Sequence, residues 1–91
     1  MQIIYYLGHI LSQKIGISTA ASRGLIKLAI SEEFGPFKSL ETLGVRDFQK
    51  FINNTLKKRL MDLNINNYQK IVDFLLDEVL DNQSIITMEK I

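Results

Sequence analysis

Cysteine is absent from the 91-residue chain, and histidine occurs once, as His9. Without cysteine the fold has no disulfides, no thiolate nucleophile and no cysteine-based zinc or iron–sulfur site. A site that needs two imidazoles is likewise excluded unless two chains share it. We therefore expect no metal and no cofactor, and the lack of cysteine is consistent with a cytoplasmic protein.

Long hydrophobic runs and a strong charge of one sign are also missing. The longest near-apolar run, residues 3–11, is interrupted by Gly8 and His9, whereas a membrane-spanning helix needs about 20 apolar residues. No lysine or arginine precedes this run, so we expect no signal peptide and no membrane partner. Eleven basic and ten acidic residues give a net charge of +1. That charge is too small for a protein that binds nucleic acid through charge alone.

The sequence has few features of an enzyme. Glycine-rich phosphate loops are absent, as are Ser/His/Asp spacings and the strand–turn–helix frames in which catalytic motifs lie. His9 shares a helical face with Tyr5 and Gln13, which could suit acid–base chemistry, but no carboxylate lies nearby in sequence. We expect this face to be an exposed polar surface, and the protein not to be an enzyme.

Apolar residues recur at intervals of three and four through most of the chain, which is the spacing of amphipathic helices. The pattern predicts an all-α protein, a compact four-helix, bundle-like single domain over residues 1–91. The apolar segment 83–91 is predicted to be a short C-terminal tail docked on the bundle or on a second chain. The four predicted helices lie near 2–15, 19–34, 45–63 and 67–82.

The predicted core follows from the centres of the apolar stripes. The second helix is apolar around more than half of its circumference, so we expect it to be the most buried helix. In the long connection after this helix, we expect Phe37, Leu40 and Leu43 to plug the bundle. The predicted core residues of the helices are Leu25, Leu28, Ile52, Leu56, Ile71 and Leu75.

Residues 11–18 resemble the first helix and turn of helix-turn-helix DNA readers. The segment Leu-Ser-Gln-Lys-Ile-Gly-Ile-Ser matches their pattern Leu-x-x-x-apolar-Gly-apolar-Ser. The resemblance extends over residues 10–30 and implies that Gly16 takes a positive φ, Ile17 plugs the corner and Ser18 caps the recognition helix. It also implies that five residues face the DNA groove: Thr19, Ala20, Ser22, Arg23 and Lys27.

The second helix departs from the pattern of those readers. Ser22 takes a position where they carry a β-branched core residue, and few polar side chains lie on the outer face to read base edges. The alternative is an ordinary pair of helices joined by a glycine corner, with Ala20 and Gly24 packed against another helix.

Charge is segregated along the chain, with nine basic and four acidic residues in 1–61 and two and six in 62–91. Like charges spaced four apart on a helix cost a few tenths of a kcal/mol each and gain from a cationic partner. The stripes are interpreted as solvated faces, as contacts with the opposite stripe of another chain, or as phosphate contacts by the basic one. The basic stripe consists of Arg46, Lys50 and Lys57, and the acidic stripe of Asp73, Asp77 and Asp81.

A small helical protein–protein interaction module, either a homodimer or an adaptor subunit, is the function that these features favour. The chain is charge-balanced and carries more apolar residues than its inner stripes require, and contiguous exposed apolar area usually marks an interface. The alternative is a helix-turn-helix regulator that contacts nucleic acid through Thr19, Arg23, Lys27 and the basic stripe; a small enzyme ranks third. The predicted partner interface consists of Tyr5, Tyr6, His9, the acidic stripe, Ile85 and Ile86.

Overall fold

A computed structural model describes residues 2–89 and confirms the all-α class, with no strand in that range. The helices are α1 (Gln2–Ile15), α2 (Thr19–Phe34), α3 (residues 45–62), α4 (Tyr68–Asp81) and the short α5 (Gln83–Glu89). The third helix contains a π turn, Ile52–Leu56, between Val45–Phe51 and Lys57–Asp62. The five helices form a single packed body, in which α1 contacts α2, α4 and α5, and α3 contacts α2 and α4.

The ends of α2 follow the expected local chemistry. Gly16 has a φ of +73°, and the Ser18 hydroxyl accepts a hydrogen bond from the Ala21 amide at 3.1 Å, so two of the three corner features implied by the helix-turn-helix resemblance are present. At the other end, Gly35 takes a φ of +91°, and its amide donates to the Ser31 carbonyl at 2.9 Å. Glycine reaches this conformation without Cβ strain, which is why the helix ends there.

The core is built around the inner face of α3. Thr55 in the π turn donates its hydroxyl to the Ala29 carbonyl at 2.8 Å, which ties α3 to α2. Inner-face residues of α1 and α4 complete the cluster, and the predicted core positions Ile71 and Leu75 are buried there. Five side chains of α3 are almost fully buried: Phe48, Phe51, Ile52, Leu56 and Leu60.

The prediction that α2 is the most buried helix is wrong, because α2 packs against the other helices on one side only. Its buried residues are Ser22, Ile26, Ala29 and Ile30, whereas α1 buries six residues. Leu28 lies on the far side of α2 and is 52% exposed, and Leu25 at the margin is partly buried. The apolar composition of α2 therefore produces an exposed apolar face as well as a buried one.

The connection between α2 and α3 also differs in part from its predicted structure. Residues Leu40–Thr42 form a short 3₁₀ turn, after which Leu43 is fully buried and Leu40 packs against the core. The prediction that Phe37 plugs the bundle is wrong, since this side chain is 96% exposed. It lies in the turn at residues 36–37, six residues before the chain re-enters the core at Leu43.

The C-terminal tail docks on its own bundle, as one of the two predicted arrangements requires. It forms α5, whose Ile86 is fully buried in the common core. The Glu89 carboxylate accepts hydrogen bonds from the backbone amides of Gln2 at 2.9 Å and Ile3 at 3.3 Å. A carboxylate at this point satisfies free amides of the first turn of α1 and opposes the positive end of its dipole. Residues 90 and 91 of the predicted tail lie outside the described residues.

Candidate functional site

A groove of about 740 Å³ lies between α1 and α4. Tyr6 of α1 contacts Glu78 of α4, and Lys14 contacts Phe74, so the two helices run antiparallel along the groove. Residues spaced four apart line each side because they share a helical face. One side of the groove carries Tyr6, Ile10 and Lys14, and the other carries Lys70, Phe74 and Glu78.

Phe74 is the largest apolar side chain in the groove, and it is 41% exposed. The ammonium nitrogen of Lys14 lies 4.0 Å from the centroid of its ring, in a cation–π contact between α1 and α4. Ile71, beneath it, is buried. The groove thus has an apolar floor and an aromatic wall whose position is held by a charged neighbour.

Tyr6 forms the opposite wall and is 42% exposed. Its hydroxyl donates to the Glu78 carboxylate at 2.8 Å, and the side chain of Asn82 donates to the Glu78 backbone carbonyl at 2.7 Å. The hydrogen bond to Glu78 raises the pKa of Tyr6 above 10, and burial and the charges of Glu78 and Asp81 raise it further. At neutral pH the tyrosine is therefore un-ionised and holds the wall in place.

Opposite charges occupy the two ends of the groove. Lys14 and Lys70 lie at one end, and Glu78 lies at the other. The groove therefore has a positively charged end and a negatively charged end as well as an apolar floor.

Two smaller cavities continue from the negative end towards α5. One, of about 290 Å³, is lined by Tyr6, Ile3 and Ile85 among others. The next, of about 260 Å³, lies against Ile85, Met88 and Glu89. Because Tyr6 borders the first two cavities and Ile85 the last two, they form one interrupted furrow along α1.

Of the predicted partner interface, Tyr6 lines this groove. Tyr5 lies on the α2 side of α1, where the guanidinium carbon of Arg23 is 4.6 Å from its ring centroid, and His9 is exposed between the two sides. Ile86 is fully buried in its own bundle and offers no side-chain surface to another chain, and Ile85 is half-buried. The acidic stripe is exposed along α4, and Gln69 donates to its first member, Asp73, at 3.0 Å.

The predicted nucleic-acid contacts differ in how far their side chains are exposed. Thr19 and Lys27 are exposed on α2, but Arg23 lies flat against α1, so close that a Cβ at Gly8 would be 2.6 Å from its Cγ. The expectation that Ser22 faces a DNA groove is wrong, because Ser22 is fully buried and its hydroxyl has no partner among the described residues. In the basic stripe, Arg46 and Lys50 are exposed and Lys57 is half-buried.

The outer face of α2 is not covered by any other helix of residues 2–89. Ala20 and Leu28 are exposed, and a Cβ added to Gly24 would meet no atom of the described residues within 4 Å. Packing of Ala20 and Gly24 against another helix of the same chain is therefore wrong, and their packing against a helix of a second chain stays a prediction. Ile17, expected to plug the corner, is itself 37% exposed.

Sequence reasoning missed the groove, although one signal was available. Lys70, Phe74 and Glu78 lie four apart, and so do Tyr6, Ile10 and Lys14. Each set mixes apolar and charged residues at the border of an apolar stripe, which is typical of a half-buried seam. That the two seams face each other depends on the pairing of α1 with α4, and the chain order alone does not specify this pairing.

The chain matches no known protein family, no curated protein and no solved structure. Within residues 2–89, no group of three or more acidic or histidine side chains is placed to hold a metal ion. None of the described helices combines the length and the apolar character needed to span a membrane.

Proposed function

We propose that this protein is a small helical protein–protein interaction module that binds its partner in the groove between α1 and α4. The observation that carries the proposal is the pair of exposed aromatic walls, Phe74 and Tyr6, each held by a polar contact across the groove. Aromatic side chains fixed before binding lose little conformational entropy on association, which is a property of effective interface residues.

A random-peptide library tests this function because it samples many partner sequences at once. The displayed library is selected on the immobilised protein, and each recovered peptide is then measured against Phe74→Ser and Phe37→Ser. Phe37 is the matched control, because it is more exposed than Phe74 but lies outside the groove. We expect Phe74→Ser to abolish binding and Phe37→Ser to leave it unchanged. Peptides that bind all three proteins equally would contradict the proposal.

Self-association remains part of this proposal as one form of protein–protein interaction. Of the apolar tail residues, Ile86 is buried in the core of its own chain, and Met88 is 84% exposed. Light scattering across a range of protein concentrations measures the mass directly. A homodimer through the tail predicts that Met88→Ser lowers the dimer fraction, whereas a constant monomer mass excludes it.

A second candidate function is DNA binding by α1, the glycine corner and α2. The observation that favours it is the corner itself, with Gly16 at positive φ, Ser18 as the cap and Lys27 exposed on the following helix. This candidate predicts a shift of duplex DNA at low salt, with affinity falling at a log–log slope of roughly −0.9 per phosphate contact. Lys27→Ala should then change sequence preference, and Lys57→Ala should weaken binding to all sequences alike. If micromolar protein does not shift duplex DNA at low salt, this candidate function is excluded.

A further inference from the structure

We propose that the occupant of the α1–α4 groove is an amphipathic helix of another protein with carboxylates at one end of its apolar face and a cation at the other. This inference rests on the proposed function and specifies the partner of that same site. The carboxylates lie over Lys14 and Lys70, and the cation lies near Glu78.

The length of the groove matches a short helix. Its α1 side extends from Tyr6 to Lys14, eight positions further along the helix, which is about 12 Å at a rise of 1.5 Å per residue. A partner helix of two to three turns covers that distance with apolar residues at i, i+3, i+4 and i+7. Those residues contact Ile10 and the ring of Phe74.

The charges determine which helix fits. Lys14 already contacts Phe74, and Lys70 belongs to the same end, so an acidic residue placed there meets two ammonium groups beside an apolar surface. A basic residue at that end would face both of them. Opposite charges at the two ends therefore favour one orientation of the partner and reject the reverse one, since like-charge juxtaposition is costly in an interface.

A second copy of this chain is a poorer occupant. The acidic stripe lies on α4 itself, whose inner residues Ile71, Val72, Leu75 and Val79 are committed to the core. The outer side of α4 exposes Phe74 and Leu80, but Phe74 is itself a wall of the groove. The exposed apolar face of α2 carries Lys27 and no acidic residue between positions 20 and 28, so it offers no carboxylate to Lys14 and Lys70. A helix from another protein has no such restriction.

Three fluorescent synthetic helices of about twelve residues are the probes. The first carries glutamates at one end and lysines at the other, the second has the same composition with the charges dispersed, and the third replaces the glutamates with lysines. Binding is measured by fluorescence anisotropy. We expect the first peptide to bind about tenfold more tightly than the second, and the third to bind most weakly.

Charge reversal on the protein supplies the matched test. Lys70→Glu, at an exposed position where folding is not at risk, should weaken the first peptide about tenfold and strengthen the third. Lys27→Glu, an equal change on the outer face of α2, should do neither. Equal affinity for the first two peptides, or no effect of Lys70→Glu, would overturn the proposal. Loss of self-association in Lys70→Glu, measured by light scattering, would identify a second copy as the occupant and overturn it as well.

The outcomes separate this inference from the function on which it rests. If all three peptides bind with similar affinity and all lose binding in Phe74→Ser, the groove is an interaction site but its charge order does not select the partner. If no peptide binds and the random library also yields no groove-dependent sequence, both proposals fail.

Discussion

The outer face of α2 and the groove between α1 and α4 both expose apolar side chains, but they differ in how these side chains are held. On α2, Ala20, Gly24 and Leu28 form a flat surface, and a Cβ added to Gly24 would have no neighbour within 4 Å. In the groove, Phe74 lies under Lys14, and Tyr6 is bonded to Glu78. Exposure is thus similar, but only the groove holds large side chains in place by contacts between two helices.

This difference shows why apolar exposure alone is a poor guide to a binding site. The outer face of α2 offers a partner mainly small residues, so it supplies little apolar area to bury. The groove offers two aromatic walls, and the cost of ordering them has already been met during folding.

Leu56→Ala should have the largest effect, because this fully buried side chain lies in the core beneath both regions. We expect a loss of about 2–5 kcal/mol in the free energy of unfolding, measured by chemical denaturation. A loss below about 1 kcal/mol would show that α3 does not present this face to the core.

Ser22→Ala examines the inner side of α2. The buried hydroxyl of Ser22 has no hydrogen-bond partner among residues 2–89, and burying such a group costs about 1–3 kcal/mol. We expect the alanine variant to be about 1 kcal/mol more stable. A loss of stability instead would indicate that the hydroxyl bonds within the protein, and the packing of α2 on α1 would have to be revised.

Leu28→Ala compares the outer side of α2 with the core directly, since the apolar stripes predict burial for both Leu28 and Leu56. Because half of the Leu28 surface is exposed, the substitution should lower the free energy of unfolding by no more than about 0.5 kcal/mol. A loss comparable to that of Leu56→Ala would mean that a second chain covers this face in solution, and that α2 rather than the groove is the interface.

Alkaline titration tests the wall formed by Tyr6. Because Glu78 accepts its proton in a hydrogen bond and opposes its ionisation, the pKa of Tyr6 is raised above 10. The stabilisation from this contact is fully present below pH 10 and is lost as pH rises through the folded-state pKa. Ultraviolet absorbance, with Tyr6→Phe to isolate its signal, should show ionisation above pH 10 and a shift downwards in Glu78→Gln. A titration midpoint for Tyr6 that is no higher in the wild-type protein than in Glu78→Gln would show that the bond is not formed.

Much of the fold is predictable because its signals are local. Gly16, Ser18 and the Gly35–Pro36 pair mark the ends of α1 and α2, and the structure places those ends where the sequence predicts them. The inner residues of α3 and α4 follow a regular spacing, and Ile52, Leu56, Ile71 and Leu75 are buried as expected.

The remaining features depend on contacts between distant parts of the chain. Apolar residues surround much of α2, so periodicity predicts a core position for Leu28, and only the placement of α1 and α3 decides which side is covered. The groove likewise requires Lys14 to meet Phe74 and Tyr6 to meet Glu78, pairs separated by 60 and 72 positions. Helical periodicity reports the face of a residue but not its partner, so neither feature follows from spacing alone.

Nuclear magnetic resonance locates the binding site directly when backbone amide shifts are followed during addition of the first peptide, which carries glutamates at one end and lysines at the other. Binding in the groove predicts that the shifts concentrate around Ile10, Lys14, Lys70 and Phe74, and that the amides of Ala20, Gly24 and Leu28 remain unchanged. Shifts concentrated on α2, with the groove undisturbed, would contradict the account.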